Sequence, residues 1–263
     1  MKEKKDKNAN KTELCFERRA LEISEHFSLA KVSAGAGIFA VLAGKLTLVI
    51  DGEERELSSG ELAFLPPRAV YCYRADEEKT EIVALLASQE LLSKAALFEN
   101  GCYPPPFPKA DENAQNVLKI LDTLLKIHNN SENSGNPDYI VLAALSAFEA
   151  AYPPKPEQNN PSRDAVTEAL AFIDENIDKP ISLDSLAEAL GYTKNHLSFI
   201  FNKFARTNLR EQLNRKRLAL VSGLRAEDTE SPFYRIVLRA GFDSQNTYYR
   251  ALARYGDGGS YEK

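Results

Sequence analysis

The segment GFDSQNTYYRALARY, residues 241–255, combines an apolar stripe with a face of hydrogen-bonding side chains. At helical spacing the stripe consists of Tyr248, Ala251, Leu252 and Tyr255, with Ser244 at the N-cap. The opposite face consists of Asn246, Thr247, Arg250 and Arg254, with Gln245 at its flank. Arginine can donate two hydrogen bonds to guanine, the amides can exchange two with adenine, and threonine offers a hydroxyl and a methyl group. This chemistry predicts contact with the base edges and phosphates of DNA.

The pattern occurs a second time in SLAEALGYTKNHLSFIFNKF, residues 185–204. The first helices of the two segments match at an offset of 50, and after one extra turn residue the offset is 51. Thr193 then corresponds to Ser244, and the apolar stripe recurs as Leu197, Ile200, Phe201 and Phe204. The outward residues of this copy are Asn195, His196, Ser198, Phe199, Asn202 and Lys203. A helix, a Gly-aromatic turn, a hydroxyl N-cap and a second helix predict a helix-turn-helix.

Two outward residues of the first copy have more than one interpretation. Phe199 occupies the slot of Arg250, where it either contacts a thymine methyl group or packs in a seam between domains. His196 either contacts DNA or is a simple surface residue beside the N-cap. The repeat does not decide between these interpretations.

The segment NLREQLNRKRLALVSGL, residues 208–224, predicts one long helix between the copies. Asn208 and Glu211 can form a capping box, and the buried edge is expected to contain Leu209, Leu213, Leu220 and Leu224. Such a connector would hold two reading helices roughly 34 Å apart, one turn of DNA. Further attraction to phosphates is expected from Lys203, Arg215, Lys216 and Arg217.

Charge is distributed unevenly along the chain. Residues 190–255 contain 12 Lys and Arg against 5 Asp and Glu, a net charge of +7, whereas the whole chain of 263 residues carries −5. The rest of the chain therefore carries −12. This asymmetry is expected when one domain meets a polyanion and the other does not.

Residues 14 to about 88 consist of short apolar or alternating runs separated by turn signals. Asp51-Gly52 is a hairpin signal, Ser59-Gly60 marks another turn, and Pro66-Pro67 ends the run ELAFL. These features predict a small antiparallel barrel or sandwich. Apolar helices are predicted at 111–129 and 138–152, where they could pack in cis or across a homodimer. The proline-rich residues 153–161 are predicted to be a linker.

Several function classes lack their residues in this sequence. Only three histidines exist, His26, His128 and His196, and none lies between Gly37 and Ala87, so neither a metal nor another cofactor is expected. No nucleophile constellation or phosphate-cradling glycine loop stands out, so the chain is not expected to be an enzyme. Three widely spaced cysteines predict reduced thiols, and the absence of an apolar run of membrane-spanning length predicts a cytoplasmic protein.

The segments SLAEALGYTKNHLSFIFNKF, NRKRLALV and AGFDSQNTYYRALARY resemble the AraC/XylS family of bacterial transcription regulators. The region VLAGKLTLVIDGEERELSSGELAFLPP looks like the cupin-type barrel with which many members sense a small effector. The resemblance implies an α+β fold with a cupin-like antiparallel β-barrel and two helices, followed by two helix-turn-helix motifs joined by a long helix. The implied parts are a sensing and dimerisation domain at 1–152, the linker, and a DNA-binding domain at 162–263.

The resemblance also implies a sequence-specific regulator, expected to be an effector-responsive activator. Its reading helices would be 194–204 and 245–255, and its partners would be double-stranded DNA, RNA polymerase, a small effector and a second copy. Candidate effector ligands are Phe39, Lys45, Arg68, Tyr71 and Tyr73, although aromatic residues at such positions more often fill the barrel core.

The sequence departs from the family pattern at a few places, and other functions stay open. Arg206 replaces a usual glycine, Val237 replaces a small alanine, and the end GDGGSYEK lacks the usual Gly-x-Thr-Pro, so the last ten residues are expected to pack loosely. One alternative function is an interaction scaffold without DNA affinity. A cupin enzyme is a less favoured alternative.

Overall fold

The computed structural model describes residues 15–21, 23–24, 26–130 and 137–256. The expectation of a loosely packed end falls mostly on residues 257–263, which lie outside this part of the chain.

The N-terminal half is built from two four-stranded antiparallel sheets, with strand orders β1-β8-β3-β6 and β2-β7-β4-β5. The strands are β1 (Cys15–Leu21), β2 (Lys31–Val32), β3 (Gly35–Ala43), β4 (Lys45–Ile50), β5 (Glu53–Ser58), β6 (Leu62–Leu65), β7 (Val70–Ala75) and β8 (Thr80–Ser88). Asp51 and Gly52 form the turn between β4 and β5 with φ of 50° and 79°. Two positive φ values give a turn twist that suits a tight hairpin, which is why Asp-Gly is favoured there.

The two sheets enclose a core that their own side chains fill. Phe39, Leu48, Leu65 and Tyr71 meet in it and are all buried. The outer face of the first sheet is covered by helices, because residues such as Ile38, Phe64 and Leu85 point to that side. The covering helices are α1 (Gln89–Lys94), α2 (Glu112–Asn130) and α3 (Pro137–Ala151).

The predicted linker is partly ordered by strand pairing. Lys155–Pro156 forms the short strand β10, which pairs with β9 (Cys102–Tyr103). Glu157 continues this connection, since its backbone N–H donates to Gly101 and its carboxylate pairs with Arg163. The chain therefore crosses between the two halves along a fixed path.

The C-terminal half is entirely helical. It consists of α4 (Pro161–Glu175), α5 (Leu183–Leu190), α6 (Lys194–Ala205), α7 (Leu209–Glu227), α8 (Phe233–Arg239) and α9 (Gln245–Tyr255). Two helix-turn-helix units, α5–α6 and α8–α9, are joined by the 19-residue α7. The α+β class and the two motifs with their long connector are confirmed.

The first motif does not have a core of its own. Its buried residues Phe201, Phe204 and Ala205 form one cluster with Val70 and Cys72 of the barrel. The second motif has a separate core that includes Val221, Ile236, Phe242 and Tyr248. The barrel and the first motif therefore form one packed unit, to which the second motif is attached through α7.

Candidate nucleic-acid interface

The first motif folds as its sequence predicts. Ser182 and Ser185 form a reciprocal capping box at the start of α5, and Gly191 ends that helix with φ of 71°. The Thr193 side chain then accepts a hydrogen bond from the backbone N–H of His196 at 3.3 Å and starts α6. These local signals fix the angle at which α6 leaves the turn.

The solvent side of α6 carries a ridge of three side chains at helical spacing, Asn195, Phe199 and Asn202, which we call the α6 ridge. All three are exposed, and Phe199 is 69% exposed. Phe199 is therefore not packed in a seam between domains. His196 is also exposed, and its ring lies 5.9 Å from that of Tyr192. Ser198 is half-buried at the edge of the ridge.

The second motif repeats this geometry. Ser244 accepts a hydrogen bond from the N–H of Thr247 at 3.2 Å, and the buried ring of Tyr248 meets Phe242 edge-on at 5.6 Å. Gly241 adopts φ of 87° at the close of α8, where only glycine fits. The outward residues Gln245, Asn246, Arg250 and Arg254 are exposed, and Thr247 is half-buried. We call Asn246, Arg250 and Ala253 the α9 ridge, since they hold the positions equivalent to the α6 ridge.

One groove is lined by residues of both α6 and α9. Ser198 and Asn202 of α6 line it together with Thr247 beside the second turn, and its volume is about 430 Å³. Its floor includes Arg210 and Asn214 from the first half of α7. α6 and the first turn of α9 therefore border the same groove. Arg210 and Asn214 were missed as candidate site residues, although their place on the connector between the copies could have indicated them.

Three cations of α7 were expected to attract phosphates, and this expectation is wrong. Arg217 is buried and donates to the carbonyls of Ile177 at 2.9 Å and Lys179 at 2.6 Å. Its burial lowers the pKa of its guanidinium. Lys216 pairs with Asp174, and Arg215 donates to the carbonyl of Phe27 at 2.6 Å. These side chains hold helices and domains together, which a count of charges cannot reveal.

Two cations at the end of α6 are occupied by the barrel. Arg206 pairs with Glu54 on β5 at 2.7 Å, and it does so from a left-handed backbone conformation with φ of 51°. Lys203 lies over the ring of Phe204 and against the turn at Gly52. Lys203 is exposed but faces the hairpin, so the cations of α6 lie to the side of the α6 ridge.

The seam between barrel and first motif contains buried polar groups with specific partners. The Gln212 amide of α7 exchanges two hydrogen bonds with the backbone of Ala30, at 3.2 and 3.0 Å. Burial raises the pKa of the Cys72 thiol to about 12, with its sulfur 3.5 Å from the Ala205 carbonyl. Burial also raises the pKa of Asp51 to about 6, against the opposing effects of the Val70 N–H and of Arg163. These contacts define the position of α6 relative to the barrel.

The five candidate effector residues are not brought together. Phe39, Tyr71 and Tyr73 meet inside the barrel, with ring centroids 5.8 and 6.0 Å apart. Lys45 is half-buried and pairs with Glu56 and Glu77, which raise its pKa. Arg68 is exposed and lies 3.4 Å from Asp164 of α4. The aromatic residues thus belong to the barrel core, and the two cations point elsewhere.

The described residues contain neither a metal-binding cluster nor a membrane-spanning helix. Within residues 15–21, 23–24, 26–130 and 137–256, no cluster of three or more His, Cys, Asp or Glu side chains is arranged to bind a metal ion. In the same ranges no helix has the length and apolar character needed to cross a lipid bilayer.

Relatives of known function match part of the chain. Regulatory protein SoxS of Escherichia coli K12 is 32% identical over 92 residues, which are 35% of this chain and 85% of SoxS. Multiple antibiotic resistance protein MarA of the same strain is 31% identical over 96 residues, 36% of this chain and 75% of MarA. No protein-family model matches. The solved structure of ToxT from Vibrio cholerae covers 90% of this chain at 13% identity, with a TM-score of 0.47.

Proposed function

This chain belongs to the AraC/XylS family of DNA-binding transcription regulators, and we propose that it reads two adjacent major-groove segments of its operator with α6 and α9. The observation that carries this proposal is the groove shared by both reading helices, with Ser198 and Asn202 on one side and Thr247 on the other. In a helix-turn-helix the second helix enters the major groove and presents its outward residues to base edges.

The exposed residues of the two helices divide by chemistry. Arg250, free of any ion pair found among the described residues, is suited to a bidentate contact with guanine O6 and N7. Asn195, Asn202, Asn246 and Gln245 offer amides for adenine or phosphate. His196, Ser198, Thr247 and Arg254 complete the proposed contact set, and Lys203 is left out of it because its side chain lies against the hairpin turn at Gly52. Arg210 joins them on the floor of the groove, where the backbone between two major-groove segments would pass.

The proposal is tested by gel shift of the full chain against genomic fragments at about 50 and 200 mM salt. A specific complex that weakens by orders of magnitude at the higher salt is expected, because phosphate contacts release counterions. An absence of any specific complex at either concentration would favour the interaction scaffold instead.

We extend the proposal to the other partners of the regulator. Activation would require contact with RNA polymerase, and regulation would require a small effector bound by the N-terminal domain of residues 1–152.

A homodimer would use the outer face of α2, where Ile120 and Ile127 are 39% and 56% exposed beside half-buried Leu124. Ile127→Asp should then yield a monomer in light scattering. A protein that binds genomic DNA in a bacterium acts in the cytoplasm.

A further inference from the structure

The two reading helices present different chemistry to DNA although they are copies of one pattern. The α6 ridge carries an amide, a phenyl ring and an amide, whereas the α9 ridge carries an amide, a guanidinium and a methyl group. The difference is centred on one slot, which holds Phe199 in the first copy and Arg250 in the second. Both side chains are exposed, so each is available to a ligand on the same side of its helix.

No cation of α6 can substitute for the missing arginine. Lys194 pairs with Asp184 of α5 at 2.8 Å, and Arg206 is held by Glu54 of the barrel. Lys203 runs along the hairpin turn at Gly52. The middle of the α6 ridge is therefore neutral, and it lacks the guanidinium donors that most often read guanine in the major groove.

From this asymmetry we infer that Phe199 reads a thymine methyl group, so that the half-site under α6 is rich in A·T pairs while the half-site under α9 contains the guanine. The inference rests on the proposed function and names the class of sequence that its first half recognises. A phenyl ring has no hydrogen-bonding group, and the thymine C5-methyl is the apolar feature of the major groove. Asn195 and Asn202 flank Phe199 at four and three residues, where their amides can pair with adenine N6 and N7.

The exposure of Phe199 has a cost that a DNA contact would offset. A phenyl ring left 69% exposed contributes little to folding, since most of its apolar surface stays in water. Desolvation against a methyl group recovers part of that surface on binding. Burial of one methyl-sized group is worth about 0.8 kcal/mol, which corresponds to roughly fourfold in affinity.

The test begins with selection of binding sites from a random-sequence duplex library by the full chain. We expect a bipartite consensus with thymine in one half and guanine in the other. Each thymine of the first half is then replaced by deoxyuridine, which removes only the C5-methyl group. One replacement should weaken binding of the unaltered protein roughly fourfold and have no effect on the Phe199→Ala variant. Deoxyuridine in the α9 half serves as the control on the DNA side, because its effect should be the same for the unaltered protein and for the Phe199→Ala variant.

Two further variants separate the inference from simpler explanations. Phe199→Arg restores the residue type of the Arg250 slot and should change the preferred base in the first half from thymine to guanine. Tyr139→Ala removes a side chain that is 73% exposed on α3 and should leave the consensus unchanged. Since Phe199 is exposed, both of its variants should melt at the temperature of the unaltered chain.

The outcomes distinguish this inference from the proposed function. Selection of a bipartite site whose first half is indifferent to deoxyuridine and to Phe199→Ala would overturn the inference alone. Failure to enrich any sequence would overturn both. A Phe199→Ala variant that keeps the consensus but loses a protein partner would likewise contradict the inference and identify Phe199 as an interaction residue.

Discussion

Arg206, the C-cap residue of α6, pairs with Glu54 of the barrel at 2.7 Å, and its backbone has a left-handed φ of 51°. A left-handed conformation costs a non-glycine residue roughly 1–2 kcal/mol. An ion pair between half-exposed side chains stabilises the folded state by about 0–1 kcal/mol. The strain at this helix end is therefore only partly offset, and the ion pair joins the end of α6 to the barrel.

Two substitutions separate these contributions at Arg206. Arg206→Ala keeps the strained conformation and removes the ion pair, whereas Arg206→Gly removes both. We expect the glycine variant to exceed the alanine variant by about 1 kcal/mol in free energy of unfolding, measured by denaturant titration. Equal stabilities would show that φ at this position relaxes. Glu54→Gln should match the loss of the ion pair alone.

The equivalent glycines of the two motifs should differ in their tolerance of a methyl group. Gly191 and Gly241 both have left-handed φ, but a Cβ at Gly191 meets nothing within 4 Å, whereas one at Gly241 would overlap the Ile177 carbonyl and lie 2.9 Å from Arg217 Nε. Gly191→Ala should cost about 1–2 kcal/mol of stability from strain alone. Gly241→Ala should cost at least about 3 kcal/mol, because the backbone of two elements must also shift. Similar losses in thermal unfolding would argue against this close packing.

Asp51 should make the stability of the fold depend on pH. Its pKa is raised by burial to about 6, above the ordinary value of 3.8, so the folded state binds the proton more tightly than the unfolded state. The contribution of protonated Asp51 to the free energy of unfolding is fully present below the pKa that Asp51 has in the unfolded chain. It is lost as pH rises through about 6, by up to about 3 kcal/mol. The difference between the wild-type chain and Asp51→Asn should follow this curve. A difference that stays constant as pH rises through about 6 would contradict this prediction.

Arg250 should discriminate between base pairs and not only attract the phosphates of DNA. Arg250→Ala should lose about 1–3 kcal/mol on the selected site and relax the preference at one base pair. Arg239→Ala removes the same charge from the same motif, but that side chain is paired with Asp228 at 3.1 Å, so its effect should be small. Binding curves on the selected site and on its single-base variants give both quantities. A uniform loss on all sequences would make Arg250 a phosphate contact.

The helix-turn-helix motifs could be predicted from the sequence because their signals are local. Thr193, Ser182 and Ser244 cap their helices as the hydroxyl spacing indicates, and Gly191 and Gly241 take the left-handed φ that the turn needs. Each signal lies within about a turn of the helix that it starts or ends.

Contacts between distant segments could not be predicted in this way. Nothing in the neighbourhood of Gln212 indicates that its amide binds the backbone of Ala30, 182 residues away. The sequence position of Arg217 suggests a phosphate contact, yet its guanidinium donates to two carbonyls of the loop that follows α4. For Lys45 of β4, strand alternation gives a face but not which face is inside the barrel. Arg68 lies in the turn between β6 and β7, where alternation gives no face at all, and its side chain is exposed.

If α6 and α9, joined by α7, read two neighbouring major-groove segments together, the two half-sites must keep a fixed spacing, and that spacing is the most direct test. Insertion of about five base pairs, half a helical turn, between the halves of the selected site moves them to opposite faces of the duplex. The affinity of the full chain should then fall to that of a single half-site, measured by gel shift at constant salt. An affinity that is unchanged by the insertion would contradict the claim.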